Sequence, residues 1–349
     1  MPSTLYICYF GLRQPLVQTQ VLPYLREIRK GGTEVALLTF EPLAGENWEA
    51  EMQAALKAEG IDWHWLRYHK RLSVIATAYD IFRGALFVRR FIKNRRPNIL
   101  HGRVHVPTLM AALGRKLSGQ RPKLLFDIRG FFPEEYTDAG IWPANGILYR
   151  TAKRIERWLM GEADGFVVLT EKAREILFPD AKAPSSGDPG LWPNLEAESV
   201  RASKATDVGW LDNFGRPVEV IPCCVDFESR FSVNRSELRE RTRQKLGVEN
   251  RYVITHVGAL GGLYLADEIA DFLAVAKSTR PETFALFLTQ SDPSKIILLL
   301  TERGFTESDS FVGRVASEDV PAYMYAADLG LSFVRSGYAT QSRSPTKIP

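Results

Sequence analysis

The chain has 349 residues, 45% hydrophobic and 25% charged, with a net charge of +4. At about 150 residues per domain this is a two-domain length, and the composition excludes a disordered chain, a collagen and a coiled-coil rod. Three cysteines, Cys8, Cys223 and Cys224, make no disulfide framework and suit a reducing, cytoplasmic setting.

The first ten residues place no basic residue ahead of their apolar run, so no signal peptide is expected. No apolar run reaches the ~20 residues that span a bilayer. Residues 4–10 predict a strand. Residues 16–30 predict a helix, stopped by Gly31 and Gly32. A strand over 33–40, a helix over 47–59 opened by an Asn cap, and a strand over 61–66 follow. Residues 74–93 predict a long basic helix, ended by Pro97. Strands over 98–102, 123–128 and 165–169 alternate with helices over 106–117 and 145–162. Strands spaced by helices imply βαβ units and a doubly wound parallel sheet.

Charge is uneven along this half. Between Arg67 and Lys123 stand fourteen Lys and Arg and one acid, Asp80. Such polarity suits an anionic partner on one face, against the plainer reading of a solvated basic surface.

Residues 179–216 are rich in Pro, Ser, Gly, Asp and Asn and predict an irregular, exposed insertion. Its aromatics, Trp192, Trp210 and Phe214, offer local packing. A strand over 218–221 closes the first domain, 1–222. A second α/β alternation fills 223–349: strands over 251–257, 284–289, 311–312 and 329–334, helices over 265–277, 293–303 and 320–326. The sequence stops where another element is due, so the second domain is expected to be incomplete.

In doubly wound folds ligands bind beyond the carboxyl ends of strands. Gly258, Gly261 and Gly262 lie in such a loop, after a strand and before a helix. Glycines let backbone approach a phosphate and a helix N-terminus favours an anion. A plain turn needs one glycine, so three favour a binding loop over a simple connection. In the first domain Asp127, Arg129, Glu134 and Glu135 leave the end of one strand, and His101 and Arg103 end the strand before it. Charged clusters there mark active sites, with an Asp–Arg pair that fixes a loop as the alternative. No Asp-x-Asp or zinc pattern is present, so no metal is expected. Nucleic-acid binding has the charge but no motif.

Several stretches resemble family 4 glycosyltransferases of the GT-B fold, in a bacterial surface-polysaccharide branch. They are Pro15-Leu16-Val17-Gln18-Thr19-Gln20, Leu37-Leu38-Thr39-Phe40-Glu41, Phe126-Asp127-Ile128-Arg129-Gly130-Phe131, and Tyr149-Arg150 with Lys153-Arg154 and Glu156. Further matches are Ala163-Asp164-Gly165-Phe166, Val220-Ile221-Pro222 through Asp226, the Gly258 loop, Phe311-Val312-Gly313-Arg314, and Ser342 to Lys347. The resemblance covers nearly all of the chain outside 179–216.

It implies two facing Rossmann-like domains, with acceptor in the first and nucleoside-diphosphate sugar in the second. The reaction it implies is transfer with retention and without a metal or other cofactor. Leaving-group charge is then met by cations and backbone amides. By position Arg129 stands where many relatives carry a His near the reacting sugar. Gly258, Gly261 and Gly262 face the diphosphate, and Val312 and Gly313 the base. Ala259 and Tyr264 replace the usual Arg and Lys of the loop, so Lys347, Arg343 or Arg314 supply the cation, with Ser344 beside the donor. Gln18, His101, Arg103, Asp127, Glu134 and Glu135 fall to the acceptor side. Ser342 replaces the first Glu of the family's Glu-x7-Glu element, and its second lies past Pro349. The expected partners are a nucleotide sugar, a glycan or lipid-linked acceptor, and anionic membrane in peripheral contact at the inner cell surface. A GT-B nucleotide-sugar epimerase, using Glu134 and Glu135 as acid and base, and an inactive remnant are the alternatives.

Overall fold

The computed structural model describes residues 1–42, 46–69, 73–182, 210–225 and 234–344. The chain divides into two compact units. One comprises Met1–Glu135, Pro143–Pro222 and Gln341–Ser344, the other Tyr136–Trp142 and Cys223–Thr340.

The first unit is built on β1 (Ser3–Ile7), β2 (Glu34–Glu41), β3 (Ile61–Arg67), β4 (Ile99–Arg103), β5 (Lys123–Ile128), β6 (Gly165–Val168), β7 (Trp210–Leu211) and β8 (Pro217–Val220). They form one sheet in the order β3-β2-β1-β4-β5-β6-β8-β7. Every pair is parallel except β7 with β8. The inner strands β1, β2, β5 and β6 are largely apolar because both faces are covered, whereas edge strand β3 alternates buried and exposed residues. On β1, Leu5 and Ile7 pack to one side with Leu38, Leu100 and Phe126. Tyr6 and Cys8 pack to the other with Leu25, Leu37 and Trp63. Strand order reverses between β1 and β4, the kind of switch point at which doubly wound sheets bind ligands beyond the carboxyl ends.

The second unit carries β9 (Tyr252–Val257), β10 (Thr283–Leu288), β11 (Ser310–Gly313) and β12 (Leu329–Leu331). All are parallel, in the order β11-β10-β9-β12. The architecture is the expected one, an α/β chain with two parallel sheets.

Local expectations need correction in several places. The 16–30 helix is two helices, Pro15–Gln20 and Leu22–Lys30, broken at Val21. Pro23 has no N–H to continue the first helix and suits the first turn of a new one. The last strand stops at Leu331 rather than 334. Three helices were not legible: Phe132–Asp138, Arg235–Leu246 and Glu171–Leu177. The first lies in the charged motif. The second has hardly any apolar face, and it attaches through arginines. Arg239 donates to the carbonyls of Tyr325 and Ala327, and Arg243 to that of Ala326, all at 2.7 Å.

Residues 183–209, most of the expected irregular insertion and its Trp192, lie outside the described residues. The flanks that are described are regular. Lys182 and Leu211 exchange two backbone hydrogen bonds of 2.9 Å. Trp210 lies under the Arg174 guanidinium at 3.7 Å. Phe214 does not pack down: it is 82% exposed at the tip of the β7–β8 hairpin.

Candidate functional site

Two groups of residues meet the geometric expectation, one at the carboxyl end of each sheet. In the first unit, parallel pairing sets His101 and Arg103 of β4 beside Leu125 and Asp127 of β5. Asp127 is wholly buried. Its Oδ1 lies 2.7 Å from Arg129 Nε, and its Oδ2 3.4 Å from His101 Nε2 and 3.8 Å from Arg103 Nη1. Arg103 also donates to the Tyr6 hydroxyl at 3.3 Å, and the Tyr6 ring lies 4.3 Å from the His101 ring. One buried acid is therefore surrounded by three cationic or cation-capable groups. Burial alone would raise the Asp127 pKa, but Arg129, His101 and Arg103 outweigh it and hold it at about 2. Burial pushes the Tyr6 hydroxyl far up, so it stays neutral. The cluster presents fixed positive charge at the switch point, as required where negative charge arrives or develops.

Backbone shapes this group. Val104 takes φ +60° before the helix His105–Ser118, and Thr108 Oγ1 donates to the carbonyls of Gly102 and Val104. A Cβ on Gly102 would lie 2.4 Å from Thr108 Oγ1, so only glycine allows this close approach. At the end of β2, buried Glu41 accepts from Leu12 N at 2.8 Å and Thr39 Oγ1 at 2.6 Å. Gln18 Nε2 donates to Leu12 O at 2.7 Å. Gln18, expected on the acceptor side, thus ties down the loop after β1.

Glu134 and Glu135 sit at the start of the Phe132–Asp138 helix, each held by a partner. Glu134 takes Lys153 at 3.1 Å and Tyr149 at 3.2 Å. Glu135 takes Arg343 at 3.2 Å. Tyr149, Lys153 and Glu156 recur at helical spacing on one face of the Ile147–Glu162 helix, where Lys153 pairs with Glu156 and Glu156 with His105 at 2.9 Å. Ser342, nearly fully buried, accepts from Phe131 N at 3.0 Å. Arg343 and Ser344 group with the first unit. Lys347 lies outside the described residues.

In the second unit, Val257, Leu288 and Gly313 stand level at the carboxyl ends of β9, β10 and β11. The loop after β9 carries Gly258, Gly261 and Gly262 at φ +129°, +84° and +64°. A side chain is strained at such angles even though added Cβ atoms at 261 and 262 meet open space. The loop is anchored at both ends: Leu260 N donates to Ser291 Oγ at 3.1 Å, and Arg335 N to Leu263 O at 2.8 Å. Arg314 follows β11 and donates to Gln290 O at 2.8 Å, beside the β10 end. Val312 packs partly into the core. Sequence reading missed His256. It is buried on β9 with Nε2 3.2 Å from the carbonyl of Ala259 and Nδ1 3.3 Å from that of Leu331, and so supports the loop from below. A polar residue inside an apolar strand was its only signal. Among the described residues no group of three His, Cys, Asp or Glu side chains is placed to hold a metal ion.

Residues 17–183 match the family described as a glycosyl transferase 4-like domain. Among curated proteins none is similar enough in sequence to match. Solved structures share the fold at low identity. The Anabaena Alr3699/HepE structure, in complex with UDP-glucose, is 14% identical with a TM-score of 0.56, covering 95% of this chain and 73% of that one. WaaG, a glycosyltransferase involved in lipopolysaccharide biosynthesis, is 16% identical with a TM-score of 0.55, covering 97% and 76%. A UDP-N-acetylglucosamine 2-epimerase is 9% identical with a TM-score of 0.50, covering 94% and 73%.

Proposed function

From the match of residues 17–183 to a glycosyl transferase 4-like domain and the fold shared with solved glycosyltransferases, we propose that this chain is a family 4 glycosyltransferase that moves a sugar from a nucleoside-diphosphate sugar to a glycan or lipid-linked acceptor. The anomeric configuration is retained and no metal takes part. The observation that carries this reading is the loop after β9. Three glycines at positive φ there leave backbone, not side chains, at the carboxyl end of the second sheet. Such a loop accepts a diphosphate closely. Arg314 lies beside it, and Lys347 and Arg343 are the other cations for the departing phosphate. In the first unit Arg129, Arg103 and His101 face the reacting sugar and its acceptor, with Asp127 holding them in place.

The epimerase alternative would use Glu134 and Glu135 as free acid and base. Both are held in ion pairs, by Lys153 and by Arg343, which favours the transferase.

The acceptor's setting is surface-polysaccharide assembly at the inner face of the cell membrane. No helix among the described residues is long and apolar enough to cross a membrane. The helix Ser73–Arg95 exposes Val74, Ile75 and Phe82, with Arg90 and Lys93 farther along it. Such a face lies on an anionic bilayer, each near-surface cation adding about 1 kcal/mol. Sedimentation with anionic vesicles at low salt, and none with neutral ones, is the expected result. Equal behaviour would remove the membrane from this reading.

Transfer is tested by incubating the protein with a panel of nucleoside-diphosphate sugars and following the anomeric proton by NMR, with and without EDTA. The expected product keeps the donor's configuration and forms equally in EDTA. Lys347→Ala slows it by about ten- to a hundredfold, the worth of one charge-assisted phosphate contact. An inverted product, or loss of turnover in EDTA, overturns the reading.

A further inference from the structure

Away from the cluster on β4 and β5, the same edge of the first sheet holds a second polar group that the transfer reading leaves without a role. Asp80, the one acid of the basic segment, is wholly buried in the Ser73–Arg95 helix. Its Oδ1 lies 2.6 Å from His69 Nδ1. Its Oδ2 accepts from the Tyr9 hydroxyl at 2.8 Å and from His69 N at 3.1 Å. Tyr9 follows β1 and His69 follows β3, so both stand beyond the carboxyl ends of their strands. His69 is held on both its backbone and its ring.

That arrangement fixes the chemistry of the exposed ring nitrogen. A carboxylate only accepts, so Nδ1 carries the proton toward Asp80, and whenever the ring is neutral its Nε2 is the nitrogen that keeps a lone pair for a ligand. The His69 side chain is 34% exposed, and Nε2 has no partner among the described residues. Packed edge-on at 5.1 Å is the ring of Tyr79, itself 46% exposed. Arg83 donates to the Tyr79 hydroxyl at 3.1 Å and keeps further N–H groups outward. A ring acceptor, a half-exposed aromatic ring with the Arg83 guanidinium 5.9 Å from its centroid, and a set of guanidinium donors thus stand together. A pyranose presents the complement: hydroxyls that donate and accept around a rim, and an apolar C–H face. A purely structural clamp would explain the buried Asp80 but needs neither the exposed Tyr79 ring nor an outward Nε2.

We propose that His69, Tyr79 and Arg83 form a sugar-binding subsite, with a glycan hydroxyl donating to His69 Nε2 and the sugar's C–H face on Tyr79. Deepening the transferase reading, on which it rests, this subsite holds a residue of the acceptor other than the one that reacts. Three strand spacings separate β3 from β4 in the sheet, about 14 Å, which is more than one sugar ring.

The test uses the whole chain with ¹⁵N,¹³C-labelled histidine, the His69 signals being assigned by their loss in His69→Asn. Ring ¹⁵N shifts are expected to show a protonated Nδ1 and an unprotonated Nε2. Titration with methyl glycosides of glucose, galactose, mannose and N-acetylglucosamine is expected to move the His69 signals saturably for at least one of them. Tyr79→Ala, at an exposed position, is expected to weaken that response at least about fivefold, a loss of stacking contact. An Nε2–H tautomer, or no saturable His69 response to any glycoside up to about 100 mM, overturns the subsite. In parallel, UDP, GDP and ADP are titrated and followed through the His256 signals beneath the glycine loop. Nucleotide binding without a glycoside response sinks the subsite alone. A glycoside response without nucleotide binding sinks the transferase reading and leaves the subsite standing.

Discussion

The two sheets end in opposite kinds of surface. At the carboxyl edge of the first, side chains do the work: Asp127, Arg129, His101 and Arg103 converge, and buried charge is balanced within a few ångströms. At the same edge of the second, the loop of Gly258, Gly261 and Gly262 offers backbone, supported from behind by His256. A balanced charge cluster is rigid, and removing any member leaves buried charge behind. A glycine loop holds its shape through φ angles that a Cβ strains. The two halves should therefore fail in different ways when damaged.

The largest expected effect is at Arg129. Arg129→Ala removes the nearest partner of the wholly buried Asp127 and should cost about 3 kcal/mol of stability, read by chemical denaturation. Transfer should fall at least a hundredfold, while nucleotide affinity is expected to stay within about twofold. Lost nucleotide affinity would blur the distinction between the two units.

Next is the acid limb of stability. Asp127 has a folded pKa of about 2 against an ordinary 3.8. A depressed carboxyl stabilises the fold above its unfolded pKa and loses that contribution as pH falls through the folded one. Wild type should therefore exceed Asp127→Asn by about 2 kcal/mol near neutral pH. The gap should close between pH 4 and 2. A gap independent of pH would mean that Asp127 acts by packing rather than charge.

The smallest stability effect belongs to the second unit. Gly261→Val meets open space but forces a β-branched residue to φ +84°. Unfolding should shift by only about 1–2 kcal/mol, with nucleoside-diphosphate affinity down tenfold or more by calorimetry. Unchanged affinity would take the diphosphate away from this loop.

How much of this was legible follows from what each element is made of. Strands of continuous apolar residues, such as those around Leu5 and Leu286, announce themselves because nothing else fits a sheet covered on both faces. The glycine loop and the Asp127–Arg129 pair were legible because they end such strands. The Arg235–Leu246 helix was not, since arginine-to-carbonyl bonds replace an apolar stripe. The pairing of His69 with Asp80 was not either. Eleven positions separate them, and only the packing of the helix after β3 brings them together. His256 and Tyr6 read as parts of strands, and their neighbours give them meaning.

The division of labour between the two units is tested most directly by hydrogen exchange with mass spectrometry, in UDP, GDP or ADP at saturation. At least one nucleotide should slow exchange across residues 258–264 and 311–314, leaving 99–103 and 123–131 unchanged. Protection of the first unit's cluster instead, or of neither region by any of the three, would contradict the account.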